Sequence, residues 1–89
     1  EIVGQLLRRL GERGQVLTVT HLPQVAAQCH QHLFVHKVRE SDTTRTAVSK
    51  LSKKERIEEL ARMLGGIDLT KESLAHAKKM VVTAKILAA

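Results

Sequence analysis

The sequence predicts an α/β fold: one buried strand, a short antiparallel hairpin and three or four helices, forming a single incomplete domain over residues 1–89. Three observations predict it. Gln15-Val-Leu-Thr-Val-Thr20 is short, β-branched and apolar on both faces, as a central parallel strand covered on two sides must be. Residues 32–39 and 45–51 alternate with period two on either side of a polar stretch, which reads as a hairpin. The other apolar residues recur at helical spacing, and with one Phe and no Trp or Tyr the core must be aliphatic.

Taken in order, residues 1–11 carry Ile2, Val3, Leu6, Leu7 and Leu10 on one stripe, with Gln5, Arg8, Arg9 and Glu12 opposite, so the chain starts as an amphipathic helix. Gly11 and Gly14 end that helix and turn the chain into the strand 15–20. His21-Leu-Pro23 follows at once, and Pro23 suits the first turn of a short helix within residues 22–29. In the first hairpin strand His32, Phe34, His36 and Val38 share one face, while Leu33, Val35, Lys37 and Arg39 share the other. Glu40-Ser-Asp-Thr-Thr44 is a polar turn, expected as a longer loop before the second strand at 45–51. Ser52-Lys-Lys-Glu55 is a capping box, because the Ser52 hydroxyl can accept from the Glu55 backbone while the Glu55 carboxylate reaches back. Ile57, Leu60, Ala61 and Leu64 form the stripe of the next helix, which Gly65-Gly66 stops. Thr70 caps a last, alanine-rich helix running to about Ala88, with Leu74, Ala77 and Val81 on one side and Val82 and Ile86 on another.

Composition bounds the function. The net charge of +6 invites a nucleic-acid partner, since Lys and Arg neutralise phosphates and release counterions. No run of Lys or Arg dominates, so a solvated basic surface is the simpler reading, and a lone Phe34 essentially excludes an aromatic platform for stacking bases. Lys50, Lys53, Lys54 and Arg56 are the candidate DNA-contacting patch. The single cysteine, Cys29, cannot form an internal disulfide, which favours a reducing, cytoplasmic compartment. No stretch is apolar enough to span a bilayer, and no membrane partner is expected. Cys29, His30, His32 and His36 tempt a metal reading, but His32 and His36 on one strand lie roughly 13 Å apart, too far for one ion. The chain opens on Glu1 directly into a helical pattern with no capping residue, and is read as cut from something longer.

Val19-Thr-His-Leu-Pro-Gln-Val-Ala-Ala27 closely resembles the switch region of the RecN family, ATPases of the ATP-binding-cassette and SMC superfamily. His30-Gln-His32 before a strand, Leu51-Ser-Lys-Lys-Glu-Arg-Ile-Glu-Glu-Leu-Ala-Arg-Met-Leu-Gly-Gly66 and Leu74-Ala-His-Ala-Lys78 are similar to the same family, so the likeness spans nearly the whole chain. The resemblance implies a C-terminal fragment of a P-loop ATPase head of the ABC/SMC type, acting in repair of DNA double-strand breaks by recombination. It implies ATP and Mg as cofactors of the full-length protein, a nucleoid-associated cytoplasmic location, and DNA as a partner of the whole. Two further partners are implied: the missing N-terminal part of the same head, and a second head in a homodimer. It also implies that His21, at the position of the family's switch histidine, contacts the γ-phosphate.

The physics of the site agrees with that expectation, because open parallel sheets bind ligands beyond the carboxyl ends of their strands, and His21 stands just past such an end. An imidazole there can donate to a phosphate oxygen and help place the attacking water, as a sensor and positioner rather than the main base. The chain has no Gly-x-x-x-x-Gly-Lys-Ser/Thr loop, no strand ending in Asp-Glu and no ABC signature motif. The resemblance puts all three ahead of Glu1. The fragment alone is therefore expected to be inactive and to bind no cofactor, and its first helix and two-faced strand, parted from their neighbours, to promote self-association. The competing reading is a free-standing basic interaction module without catalysis.

Overall fold

The structure is a computed structural model that describes residues 2–65 and 68–88, and for 86–88 the helical backbone alone. The elements are α1 (Ile2–Arg13), α2 (Pro23–Ala26), β1 (Leu33–Glu40), β2 (Thr43–Lys50), α3 (Lys53–Met63) and α4 (Lys71–Ala88). Helices plus a two-stranded antiparallel sheet make the fold α/β in composition. Glu1, Gly66 and the side chain of Ile86, all invoked above, lie outside the described residues.

The core sits where α2, α3 and α4 meet. Ala26, Ala27, Leu60, Ala61, Ala77 and Val81 are buried together, with Ile57, Leu64, Leu69, Leu74 and Met80 packed around them. Four of those six are alanines, so the helix backbones approach closely and dispersion between backbones replaces large side chains. Among the described residues Leu60 is the one large side chain fully enclosed. α3 starts where the capping box requires: the Glu55 N–H donates to Ser52 Oγ at 3.2 Å, and the Ser52 N–H donates to Glu55 Oε1 at 2.9 Å. The same reciprocal arrangement opens α4 with a serine in the acidic role, the Ser73 N–H donating to Thr70 Oγ1 and the Thr70 N–H to Ser73 Oγ, both at 3.0 Å. Gly65, at φ 128°, ends the α3 turn in a conformation that only glycine adopts easily.

α1 joins this core through a glycine. A Cβ on Gly4 would lie 3.1 Å from the Gln24 carbonyl oxygen and 3.3 Å from Val25 Cα, both backbone atoms of α2, and 2.9 Å from Gln28 Cγ. Gly4→Ala should therefore lower stability by about 1 kcal/mol, the overpacking cost of ~1–3 kcal/mol outweighing a helix-propensity gain of at most ~1 kcal/mol. A fall in thermal midpoint would register it; a rise would mean that α1 does not seat on α2 at this point.

The hairpin pairs in one register from Leu33 opposite Lys50 to Glu40 opposite Thr43. The face assignment holds: Phe34, His36 and Val38 are half-buried, and Leu33, Val35, Lys37 and Arg39 are exposed. The expected longer loop is instead a two-residue turn, Ser41-Asp42. Ser41 adopts φ 46°, the sign a tight hairpin turn demands. Thr43 Oγ1 donates to the Glu40 carbonyl at 3.1 Å and Arg45 Nε to Glu40 Oε1 at 3.0 Å, which close the turn.

The predicted parallel core strand is not formed. Residues 15–20 run without regular structure, and Leu17 and Val19 are 86% and 97% exposed. Apolar residues on both faces were read as burial on both faces. A strand also needs a neighbour to take its N–H and C=O groups, and among the described residues the only two strands bond to each other.

Candidate functional site

His21 stands on an exposed bend between the extended segment 15–20 and α2. Its surroundings follow from three sequence choices. Thr20 Oγ1 accepts from the Leu22 N–H at 3.0 Å and closes a small turn around the histidine. Pro23 then starts α2 at a position where a missing N–H costs nothing, and its ring is buried. The Leu22 carbonyl accepts from the Val25 and Ala26 N–H groups at 3.1 and 3.0 Å, and the Pro23 carbonyl from the Ala27 N–H at 2.9 Å. The backbone from Leu22 to Ala27 is thus one hydrogen-bonded turn with the imidazole at its leading end.

The far end of that turn is held by two arginines that sequence reading did not assign to it. A helix end leaves carbonyls without intrahelical donors. Arg56 Nη2, from α3, donates to the carbonyls of Ala26 at 3.2 Å, Ala27 at 3.0 Å and Cys29. Arg8 Nη1, from α1, donates to the intervening Gln28 carbonyl at 2.7 Å. A guanidinium suits this place because it is weakly hydrated and carries several donors in a plane, and the negative end of a helix favours a cation. Burial, reinforced by the Arg8 charge, lowers the Arg56 pKa, with Cys29 opposing. Burial likewise raises the Cys29 thiol pKa against the opposing charges of Arg56 and Arg8, and its Sγ lies 3.7 Å from the Val25 carbonyl.

Arg56 was grouped with Lys50, Lys53 and Lys54 as a DNA-facing patch. The three lysines are exposed, but Arg56 is turned into the protein and is withdrawn from that patch. The signal was available: Arg56 precedes Leu60 by four residues and so shares its buried face.

A cavity of about 670 Å³ lies between α1, the extended segment and the loop after α2, walled by Leu7, Arg8, Val16, Gln28, Cys29 and His30 among others. His21 does not line it. Gln28 is only 5% exposed, and its Oε1 has no partner. His32 and His36 do not come together with Cys29 as ligands, and the described residues contain no group of three or more His, Cys, Asp or Glu side chains able to hold a metal ion. His36 instead stacks on Phe34, ring centroids 5.4 Å apart. Burial lowers the His32 pKa, and the Arg56 charge lowers it further, against Glu59.

As for what the chain offers to ATP, His21 is sterically open and can donate one hydrogen bond to a phosphate oxygen, whereas no cluster for magnesium exists among the described residues. Among those residues no helix is long and apolar enough to cross a membrane.

No family model matches the chain. Curated relatives do. The chain is 52% identical over 83 residues to the DNA repair protein RecN of Vibrio cholerae, covering 93% of this chain and 15% of that protein. It is 53% identical over 81 residues to RecN of Xylella fastidiosa, 91% of this chain and 14% of that protein. RecN of Bacillus subtilis is 36% identical over 81 residues, again 91% of this chain and 14% of that protein. The chain thus spans about 15% of the length of the curated relatives it matches. Agreement at this level across nearly every residue places the chain in the RecN family, as a C-terminal portion of it.

Proposed function

We propose that this chain is the C-terminal part of an ATP-hydrolysing head of the ABC/SMC type that acts in DNA double-strand-break repair and recombination, and that His21 contacts the γ-phosphate. The observation that carries the proposal is the identity of about half the residues, over 93% of the chain, with a protein named for DNA repair. The whole protein works in the cytoplasm with the nucleoid, binds DNA, and pairs two heads across their ATP sites. The remainder of each head supplies the phosphate loop, the signature motif and the acidic pair that this sequence lacks, so the fragment alone is inactive. The free-standing interaction module is not favoured, since the likeness to proteins named for DNA repair covers 93% of the chain.

In this reading Mg-ATP supplies the phosphoryl group and the charge to be neutralised. The chain's own contribution is an imidazole on an open bend, held by a hydrogen-bonded turn, able to donate to a phosphate oxygen and to orient a water molecule. Positioning of that kind is most of what a phosphoryl-transfer site has to do. His21→Ala in the full-length protein should lower kcat for ATP hydrolysis by about 10²-fold with little change in overall stability, the range expected for a lost positioned donor. Steady-state hydrolysis together with a thermal melt checks both parts, and unchanged kcat removes the role.

A further inference from the structure

We propose that Arg56, with Arg8 in support, is a positioning residue for His21, transmitting the placement of α3 and α1 to the histidine through the backbone of α2. The inference rests on the reading of His21 given above and extends it to residues outside the switch segment.

The connectivity of the backbone carries the argument. On its upstream side His21 follows residues 15–20, whose backbone makes no backbone hydrogen bond among the described residues. Its rigid attachment within this chain is therefore α2. That element is a single turn of four residues, about 6 Å long, bonded internally from the Leu22 carbonyl onward. One turn has almost no cooperative stability of its own, so its place is set by what grips it. Packing supplies part of the grip, with Ala26 and Ala27 buried in the core and Gly4 of α1 seated on Gln24 and Val25; its directional part is Arg56 on the carbonyls of Ala26, Ala27 and Cys29, and Arg8 on that of Gln28. The two arginines thus hold adjacent peptide units, the Gln28 carbonyl of Arg8 lying between the Ala27 and Cys29 carbonyls of Arg56. Both guanidiniums keep their Nε buried without a partner, so their hydrogen bonds to α2 and the loop after it are made through the terminal nitrogens. A displacement at Ala27 passes to His21 through the hydrogen bonds from Ala27 to Pro23 and from Ala26 and Val25 to Leu22, and errors of up to about 1 Å in placing a reacting group cost up to about 10²-fold in rate.

The test uses the full-length protein and a double-mutant cycle. Arg56→Lys keeps charge and stem but loses the planar fork. It should lower kcat by about tenfold while the KM for ATP changes less than about threefold, because ground-state binding does not depend on the histidine alone. In a His21→Ala background the same substitution should lower kcat by less than about twofold, since its route to the reaction is already gone. Arg62→Lys, on the exposed side of α3, is the control and should leave kcat unchanged. If Arg56→Lys costs the same factor in both backgrounds, or nothing in either, the inference is overturned while the role of His21 stands. If His21→Ala is itself silent, the role of His21 falls and the inference with it. Should Arg56→Lys not fold, Arg8→Lys enters the same cycle, and the same non-additivity with His21→Ala is required.

Discussion

Leu60→Ala should abolish or nearly abolish cooperative folding of the 89-residue chain. Among the described residues Leu60 is the one large side chain at 0% exposure, and it shares a buried cluster with Ala61, Ala77 and Val81. Truncating such a leucine costs about 2–5 kcal/mol, the higher values where neighbours cannot collapse into the cavity. The fully buried neighbours are mostly alanines, which cannot fill the space, while larger side chains such as Leu64, Leu74 and Met80 lie around the cluster, so the middle of that range, about 3–4 kcal/mol, applies. A chain of this size has little reserve, with typical domains stable by only about 5–15 kcal/mol and small ones at the lower end. Urea titration followed by circular dichroism should show a transition moved far to lower denaturant or lost, whereas Leu60→Met, which keeps the volume, should shift it by less than about 1.5 kcal/mol. An unmoved midpoint for the alanine variant would mean that α3 and α4 do not meet around this residue.

Arg56→Met should be nearly as damaging, for an electrostatic reason. The methionine can follow the arginine stem, so packing is largely preserved and the loss is that of the donors. The carbonyls of Ala27 and Cys29 then lack a partner, at about 1–3 kcal/mol for each buried acceptor left unmade, and a total near 2–4 kcal/mol is expected. The comparison is Arg62→Met. Arg62 reaches Glu59 at 3.2 Å, but half of its side chain is in solvent, and a surface pair of this kind is worth about 0–1 kcal/mol. Two arginines on one helix should thus differ severalfold in their effect on the denaturation midpoint. Equal effects would mean that the guanidinium does not hold the end of α2.

These two residues also mark what could and could not be read from the sequence. Leu60 was legible because its stripe and the Ser52–Glu55 box that starts α3 are local patterns, and both form as expected. The face order of the first hairpin strand was legible for the same reason. Of Arg56 only the inward face was legible, four residues before Leu60; its partners were not, because they are carbonyls about 30 residues away and a backbone acceptor leaves no mark on sequence pattern. The segment 15–20 failed in the opposite way: its composition states what it prefers to be covered by, but a β-strand exists only with a partner, and the described residues provide none. For His21 the surrounding motif singled out the residue. The exposed bend and the turn behind it became visible only in three dimensions.

The uncovered stretch Gln15-Val-Leu-Thr-Val-Thr20 carries a hazard of its own. It is six residues long, without charge, proline or glycine, and rich in β-branched side chains, which is the composition from which fibrils with a cross-β spine assemble. Arg13 on one side and Pro23 on the other act as gatekeepers, but neither interrupts the stretch itself. Copies of this chain can therefore give each other the ladder partner that the described residues do not provide, and dry steric zippers between stacked copies are the form that its aggregation would take.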